Sequence, residues 1–539
     1  MRNLLPLLTG AMLLATPALA QNGGQVPHIE SKNGRHALIV DGAPFLMLGG
    51  QVNNSSNYAA PLKQVWDRLD SIHANTVEVP VAWEQLEPKE GQFDYSFVQT
   101  LLDEARAHDK RIVLLWFGAW KNTGLAYTPD WVKLDNRRFP RMKTADGKDH
   151  GVLSPHGAAT LAADKRAFLK LMTYVRDHDA QNTVIMVQPE NEVGSYQNPR
   201  DFSAAAQKLF EGPVPAELTR ALKKPAGNWK SVFGDTADRT FNTWYTARYI
   251  EELAKAGKAI KPLPMYVNAS LTDPYKPVDP MSVSSGGPQG DVIDIWKAAA
   301  PSLDLAAPDI YDRGSRNVFK HLDLYTRPDN ALMVPEIGNA AEYARYFWSA
   351  LGRGAIGFAP FGMDDADYFN YPLGAKSFDD ATIHAFASKF GVLGAAMRPW
   401  AKIAFAHPTW GAARPDDGTP LSTTMGDWTV TASFGQWQFG QREWFPNADT
   451  PAWDKAMVGG MVVAQLSANE FLFTGDHVRV QFGSREGAPA NGMIVKVEEG
   501  HFEGDNWVFD RIWNGDQTDY GLNIIDKPVW LKVTMGRYR

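Results

Sequence analysis

The feature that most constrains this chain is an alternation of apolar runs and amphipathic stretches between about residues 35 and 400. The first amphipathic stretch comprises residues 61–75, and in it Val65, Leu69 and Ile72 recur at helical spacing. The apolar runs are continuously apolar, which is typical of parallel strands covered on both faces. Eight such runs are found: 45–50, 76–83, 111–120, 183–192, 264–270, 303–312, 331–339 and 354–362.

Eight consecutive βα units predict an α/β fold, a (β/α)8 TIM barrel with insertions. The alternative is an open, doubly wound sheet, which would need a glycine-rich phosphate loop after an early strand. The sequence at the end of the first run, "LGGQVNNSS" (48–56), lacks the G-x-G-x-x-G spacing of such a loop. The sequence therefore favours the closed barrel.

The pattern changes near residue 400. Short runs of period two, separated by Gly and Asp, predict an antiparallel β-sandwich there. The segment 401–420 is predicted as a linker or an entry loop because it is rich in Pro, Gly and Asp. At the other end, Arg2, a short apolar stretch and Ala18-Leu19-Ala20 predict a cleaved signal peptide. We expect a signal peptide at 1–20, a barrel domain at 21–400 and a sandwich domain at 401–539, and export to the periplasm or the medium without a membrane anchor.

The amino-acid composition argues against several classes of partner and of metal site. The formal net charge is −7 and no basic block appears, which argues against nucleic acid as a partner. The chain has no cysteine, so thiol chemistry and cysteine-based metal sites are excluded. The 12 His residues show no metal-binding spacing, and we expect no metal and no cofactor. The 18 Trp residues suit either sugar rings or a large core.

Polar residues stand where three of the predicted strands end, at the face where TIM barrels carry their catalytic groups. Run four ends in Asn191-Glu192, run six in Asp309-Ile310-Tyr311 and run seven in Glu336. A single glutamate at a strand end is usually a solvated rim residue or an acid near a helix N-terminus. Strands four and seven lie three apart around the ring, so their two acids would face each other, and the pair favours catalysis.

Two carboxyl groups that flank an acetal carbon are the requirement for glycoside hydrolysis. At roughly 5–5.5 Å one group attacks and the other protonates the leaving oxygen, whereas at roughly 6.5–9.5 Å a water fits between them. The acid needs a raised pKa, and the nucleophile needs hydrogen-bond donors to stay ionised. Tyr311 is placed to be such a donor, and Asn191 can donate to a sugar hydroxyl beside the reacting carbon.

The segment "QPENEVG" (188–194) resembles the Q-(V/I)-E-N-E-(Y/F)-G segment of glycoside hydrolase family 35, the β-galactosidases. The resemblance extends to a clan of retaining TIM-barrel glycosidases and covers about residues 40 to 400. It implies that Glu192 is the acid/base, that Glu336 is the nucleophile and that Tyr311 carries the hydroxyl beside the nucleophile, with Glu190 in support. It also implies a retaining mechanism.

A second segment, 75–96, resembles text shared by families 35 and 42, and the C-terminal part resembles the β-rich domain of a bacterial branch of family 35. Two stretches differ from the family pattern. W-N-x-H-E-P is replaced by residues 83–88, "WEQLEP", and A-E-W is replaced by Gly118-Ala119-Trp120. The glutamate of A-E-W contacts galactose in relatives. The resemblance therefore supports the roles of the catalytic residues better than it supports galactose as the bound sugar.

The remaining candidates for substrate binding are Trp83 and Trp120, which end strands two and three, and Asn54, which follows strand one. For each tryptophan, stacking on a sugar and packing in the core are equally supported, and Asn54 suits either a sugar hydroxyl or loop capping. We predict a retaining exo-β-galactosidase that removes terminal β-linked galactose from oligo- or polysaccharides, including plant cell-wall side chains such as those of xyloglucan. The alternatives are a β-glucosidase or endo-glucanase and a non-catalytic carbohydrate-binding protein.

Overall fold

Eight parallel strands form a closed barrel in the computed structural model, which describes residues 24–539 apart from 367, 436–443, 445, 448 and 450–453. In chain order, barrel strands one to eight are Met47–Gln51, Thr76–Ala82, Arg111–Lys121, Val184–Asn191, Tyr266–Ser270, Leu305–Ile310, Val334–Ile337 and Gly357–Pro360. Each strand hydrogen bonds to the next, and strand eight pairs with strand one. The predicted signal peptide lies outside the described residues.

The ring closes between strands four and five, where Val187 pairs with Met265 and its N–H donates to the carbonyl of Pro264 over 3.0 Å. The barrel prediction is confirmed, with all eight strands in the predicted order. The open doubly wound sheet is excluded because the two ends of the sheet meet.

Amphipathic helices cover the outside of the barrel. Helix Ser96–Ala107 is representative: Phe97, Leu101, Leu102 and Ala105 recur at helical spacing and are buried. The main helices are Trp66–Ser71, Ser96–Ala107, Ala158–His178, Ala237–Ile260, Ile293–Ala299, Ser315–Tyr325, Tyr346–Gly352, Asp380–Gly394 and Met397–Ala406. Shorter helices are Ala59–Leu62, Trp83–Leu86, Asp130–Lys133, Ala204–Glu211, Ala216–Ala221 and Trp229–Phe233. None of the helices in the described part of the chain combines the length and apolar character needed to cross a membrane.

A small antiparallel sheet closes the bottom of the barrel. Its strands are His28–Lys32, Arg35–Val40 and Ala43–Phe45. Leu38 and Phe45 of this sheet join one apolar cluster with residues near the starts of barrel strands, including Val113 and Leu305. Because apolar side chains fill this end, only the carboxyl end of the barrel remains open to a ligand.

The C-terminal part is an antiparallel sandwich, as predicted. One sheet has six strands in the order Thr409–Ala413, Gly460–Gln465, Glu470–Asp476, Trp530–Arg537, Gly492–Glu503 and Asn506–Ile512. The other has four: Leu421–Met425, Trp428–Ser433, Val478–Ser484 and Leu522–Ile524. Side chains from both sheets, such as Phe473 and Val480, form one apolar cluster between them.

The predicted linker at 401–420 is wrong over most of its first half. Residues up to Ala406 complete a helix, and Thr409–Ala413 is the first strand of the sandwich. The glycine taken as a sign of a loop has a packing function instead. A Cβ on Gly411 would lie 2.0 Å from the carbonyl oxygen of Trp348, so only glycine lets this strand lie against helix Tyr346–Gly352.

Candidate active site

Three acidic side chains converge at the open end of the barrel. Glu192 follows strand four, and Asp309 and Glu336 are direct neighbours on the adjacent strands six and seven. One carboxylate oxygen from each of the three lies within 4.8 Å of the others. This separation is close to the shorter of the two spacings used in glycoside hydrolysis.

The backbone conformation at the end of strand four directs the side chain of Glu192 toward Asp309 and Glu336. In a regular strand Glu190 and Glu192 would point to the same side. Both instead have left-handed backbones, with φ of 66° and 43°, a conformation that costs on the order of 1–3 kcal/mol for each non-glycine residue. Glu190 therefore points outward to the helix layer while Glu192 turns over the barrel mouth. The N–H of Glu192 is held by Asn268 Oδ1 over 2.9 Å.

Glu336 is surrounded by donors. Tyr311 donates its hydroxyl hydrogen to Oε1, and Gln51 Nε2 donates to Oε2 over 3.1 Å. Hydrogen bonds to a carboxylate favour its charged form, which is what a nucleophile needs. Tyr311 was singled out from the sequence, whereas Gln51 was missed. Its position at the end of strand one is the signal that would have found it.

Glu192 has the opposite environment. Burial raises the pKa of Glu192 to about 7, the nearby charge of Glu336 acts in the same direction, and Lys121 and a hydrogen bond with Asp309 oppose them. A carboxyl group with this pKa still holds a proton near neutrality and can also give it up. The two acids therefore differ in the way that a general acid and a nucleophile must differ.

Lys121 is a site residue that sequence reasoning missed. Of the described residues that line the cavity, it is the only lysine or arginine. Its Nζ donates to Asn191 Oδ1 over 2.8 Å and to Asn122 Oδ1 over 2.6 Å. Because an ammonium group can only donate, the amide oxygen of Asn191 must face it. The buried Nδ2 of Asn191 is left without a partner among the described residues.

Asp309 is joined to Glu192 through Asn268. Asn268 Nδ2 donates to Asp309 Oδ2 over 2.7 Å, while its Oδ1 accepts from the Glu192 backbone. Burial raises the pKa of Asp309 well above its usual value, and the charges of Glu336 and Glu192 add to this. Within the described residues these three acids are the one group with oxygens close enough to share a cation. Donors already occupy both oxygens of Glu336, an arrangement that suits acid–base chemistry.

Glu190 supports the site from behind, as the resemblance implied. It accepts hydrogen bonds from the backbone N–H groups of Ala119 (3.0 Å) and Trp120 (2.7 Å). Its carboxyl neighbour, Asp164, accepts from Trp116 Nε1 over 2.9 Å and from the hydroxyl of Tyr249 over 2.8 Å. Burial and the nearby Asp164 raise the pKa of Glu190 well above its usual value. This pair of carboxyl groups ties the end of strand three to strand four.

Two of the predicted binding residues do not reach the cavity. Trp83 has no exposed surface, and its Nε1 donates to Glu87 Oε2 over 2.9 Å. Trp120 is 1% exposed and packs edge-on against Tyr249. Strand three continues to Lys121, which turns Trp120 toward the helix layer. Both tryptophans belong to the core, so the expectation that either stacks on a sugar is corrected.

The other predicted residues lie at the site. Asn54 lines the cavity, and its amide oxygen is without a hydrogen-bond partner in the described part of the protein. Its neighbour Asn53 is instead fastened to Asp364 through its backbone N–H (2.7 Å) and its Nδ2 (2.8 Å). Asn191 is 1% exposed and is not among the residues that line the cavity, but it accepts a hydrogen bond from Lys121, which does line it.

The cavity above the acids has a volume of about 870 Å³. Its walls come from the ends of the barrel strands and the segments that follow them, with a contribution from every strand except strand two. Six exposed aromatic residues stand on loops after strands one, four, five and eight, and two of them, Tyr196 and Tyr368, line the cavity itself. We call these six residues the aromatic rim: Tyr58, Tyr196, Tyr275, Tyr368, Phe369 and Tyr371.

Comparison with known proteins gives two family matches. Residues 59–259 match the model of glycoside hydrolase family 42, described as β-galactosidase, and residues 386–525 match a domain of unknown function. A β-galactosidase of Xanthomonas manihotis is 27% identical over 229 residues, which are 41% of this chain. The matched part is 35% of that protein, so the chain spans about a third of the length of this curated relative.

Solved structures with a similar fold include two β-galactosidases. The enzyme of Rahnella sp. R3 is 16% identical, with a TM-score of 0.47, and the match covers 69% of this chain and 59% of that one. The enzyme of Bacillus circulans sp. alkalophilus is 12% identical, with a TM-score of 0.47, over 66% of this chain and 57% of that one.

The family matches correct one part of the resemblance. They support a likeness to β-galactosidase families, but to family 42 and not to family 35. The segment 75–96 was similar to both families, and the short strand-four segment alone does not separate them.

Proposed function

We propose that this protein is a retaining exo-β-galactosidase with Glu336 as nucleophile and Glu192 as acid/base. One observation carries the proposal: two carboxyl groups with opposite environments have oxygens within 4.8 Å of each other at the mouth of a TIM barrel. The match of residues 59–259 to a β-galactosidase family model supports the sugar.

The reaction proceeds in two displacements. In the first, the ionised Glu336 attacks the anomeric carbon, the bond from that carbon to the leaving oxygen breaks, and Glu192 gives its proton to that oxygen. This leaves galactose covalently bound to Glu336. In the second, Glu192 takes a proton from water, the water oxygen attacks the same carbon, and the bond to Glu336 breaks. The product is galactose with its original anomeric configuration.

The shape of the cavity supports attack at a chain end. Segments from seven of the eight strand ends surround it, so a chain can enter end-on more readily than it can pass through. The aromatic rim offers apolar faces with hydroxyl edges, which suit sugar rings beyond the first. The proposed substrates are galactosylated oligo- or polysaccharides, including plant cell-wall side chains such as those of xyloglucan. The predicted signal peptide places the reaction outside the cytoplasm in this proposal.

A β-glucosidase is the second candidate, because Ala119 replaces the sugar-binding glutamate of the family pattern and strand three brings Lys121 to the cavity. A panel of aryl β-glycosides compared with galactose-bearing oligosaccharides separates the two. We expect the highest kcat/KM with β-galactosides. A preference for glucosides would replace the proposal, and no hydrolysis of any glycoside would leave a carbohydrate-binding protein.

Variants of the two acids test the assigned roles. We expect Glu336→Ala to lower the rate by several powers of ten, and Glu192→Ala to lower it by roughly 10²–10⁴-fold for substrates with poor leaving groups. Azide added with an activated aryl galactoside distinguishes the roles, because it can replace either group. Glu192→Ala should give the β-galactosyl azide and Glu336→Ala the α-galactosyl azide. The reverse pattern would exchange the roles, and near-normal turnover by Glu336→Ala would refute the mechanism.

A further inference from the structure

We propose that Asp309 is a third carboxyl group of the reaction, one that keeps its proton at neutral pH and donates it in a hydrogen bond to Glu192. The proposal rests on the acid/base role proposed for Glu192. It adds a group that the two-carboxylate mechanism does not use.

The geometry places Asp309 among the reacting groups. It lines the cavity, is 1% exposed, and is the direct neighbour of Glu336 on the next strand. One of its carboxyl oxygens lies within 4.8 Å of a carboxyl oxygen of Glu192. Two carboxylates cannot bond to each other without a proton between them, because both only accept.

The donors around each acid decide where the protons lie. Glu336 receives two donors, Tyr311 and Gln51. Asp309 receives Asn268 on Oδ2, but its buried Oδ1 meets no donor among the described residues. Oδ1 is therefore the atom left to carry a proton toward Glu192.

Charge balance leads to the same arrangement. The titratable side chains that face Asp309 come from strands two to seven and the segments that follow them: Glu78, Lys121, Glu192, Tyr196, Tyr266, Tyr311, Tyr325 and Glu336. Lys121 supplies one positive charge, which balances one carboxylate. Several like charges in a buried site cannot all ionise, and burial raises the pKa of both Asp309 and Glu78 well above the usual range, so these two groups keep their protons.

A protonated Asp309 has a defined part in the cycle. When Glu192 gives its proton to the leaving oxygen, it becomes a carboxylate in a partly buried site. The hydrogen bond from Asp309 stabilises that carboxylate without transferring its own proton. When Glu192 later takes a proton from water, Asp309 is unchanged, so the proton balance of the reaction is that of the two-displacement mechanism.

Two substitutions test the protonation state. Asn is an isostere of a neutral carboxyl group, and its NH₂ can donate in place of the Asp309 hydroxyl. We expect Asp309→Asn to leave the basic limb of the kcat/KM profile near its original pH, because the donor to Glu192 is kept. Asp309→Ala removes the donor, so kcat should fall by roughly 10- to 100-fold and the basic limb should move to higher pH.

An ionised Asp309 would give the opposite shift. Removal of a negative charge lowers the pKa of Glu192, so both substitutions would move the basic limb to lower pH. That result, or an Asp309→Ala protein with the parent profile, would overturn the proposal.

An infrared measurement keeps the test independent of activity. At neutral pH the difference spectrum between the parent protein and Asp309→Asn should contain the absorption of one protonated buried carboxyl group, while the absorptions of Glu78 and Glu190, which both proteins share, cancel. The matched control is Asp312→Asn, which removes an exposed carboxyl group from the loop that follows the strand of Asp309 and should produce no such difference. If the parent hydrolyses no glycoside, the proposed function fails while the absorption still decides the state of Asp309. The absence of this absorption from the difference spectrum would refute the inference.

Discussion

At the scale of single residues, a few hydrogen bonds give chemically identical groups different tasks. Glu336 and Glu192 are both glutamates at strand ends, yet Glu336 is held by Tyr311 and Gln51 while Glu192 has a raised pKa. The difference comes from which donors each side chain meets and from how much water it loses. The positive charge of Lys121 lowers the pKa of Glu192 and so favours its ionised form.

Lys121→Met should therefore move the pH profile in a defined direction. With a pKa of about 7, Glu192 loses its proton as the pH rises through 7, so the basic limb of kcat/KM should lie there in the parent. Without the ammonium group the pKa of Glu192 rises, and the limb should move to higher pH. Lys121→Arg keeps the charge and is the matched control. A shift to lower pH in Lys121→Met would contradict this account of the site.

At the scale of elements, the ends of strands three and four are joined by buried carboxyl groups. Glu190 accepts from the backbone of Ala119 and Trp120, and Asp164 connects the pair to helix Ala158–His178. The space between them exists because residue 118 has no side chain. A Cβ there would lie 2.4 Å from Glu190 Oε1 and 2.7 Å from Asp164 Oδ1.

Gly118→Ala should accordingly displace both carboxyl groups. Overpacking of this kind typically costs about 1–3 kcal/mol of unfolding free energy, and the activity should fall further than the stability because strand three also carries Lys121. Gly151→Ala is the control, since a Cβ on Gly151 meets nothing within 4 Å. Denaturant unfolding and kcat/KM measure the two effects. Equal behaviour of the two variants would show that the carboxyl pair does not need this close packing.

At the scale of the whole molecule, the sandwich is joined to the barrel by a buried ion pair. Asp476, in strand Glu470–Asp476, accepts from Trp348 Nε1 over 2.5 Å and from Lys389 Nζ over 3.1 Å. Both charged side chains are 3% exposed. Burial alone would raise the pKa of Asp476, but Lys389 and the neighbouring donors hold it at about 2.

Removal of one partner of this buried ion pair should lower the free energy of unfolding much more than removal of one partner of an exposed ion pair. Lys389→Met leaves a buried carboxylate without its cation and should lower the unfolding free energy by about 3 kcal/mol or more. The loss should appear at neutral pH and shrink as the pH falls toward 2, because Asp476 contributes its stability only while it is ionised. The control is Lys402→Met, which breaks an exposed pair with Asp505 and should cost no more than about 1 kcal/mol.

The sequence by itself determined the barrel, the sandwich and the pair of acids. Strand and helix periodicity is local, and each of the eight strands was read from its own residues because continuous burial leaves a continuous apolar run. The positions of Glu192 and Glu336 follow from topology alone, since the carboxyl ends of parallel strands meet at one edge. Local composition was misleading at 401–420, where close packing against Trp348 explains Gly411 better than a loop does.

Only the tertiary structure decided which side chains reach the cavity and in what state. Trp83 and Trp120 looked equally suited to core and sugar, and the choice depended on the helix that each meets outside the barrel. The position of Gln51 at a strand end was the only local sign of its role, and the contacts of Lys121 and Asp309 left no local pattern because their partners lie on other strands. Hydrogen bonding and desolvation depend on which groups are close in space. The protonation state of a residue is therefore set by the folded site and not by its neighbours in the sequence.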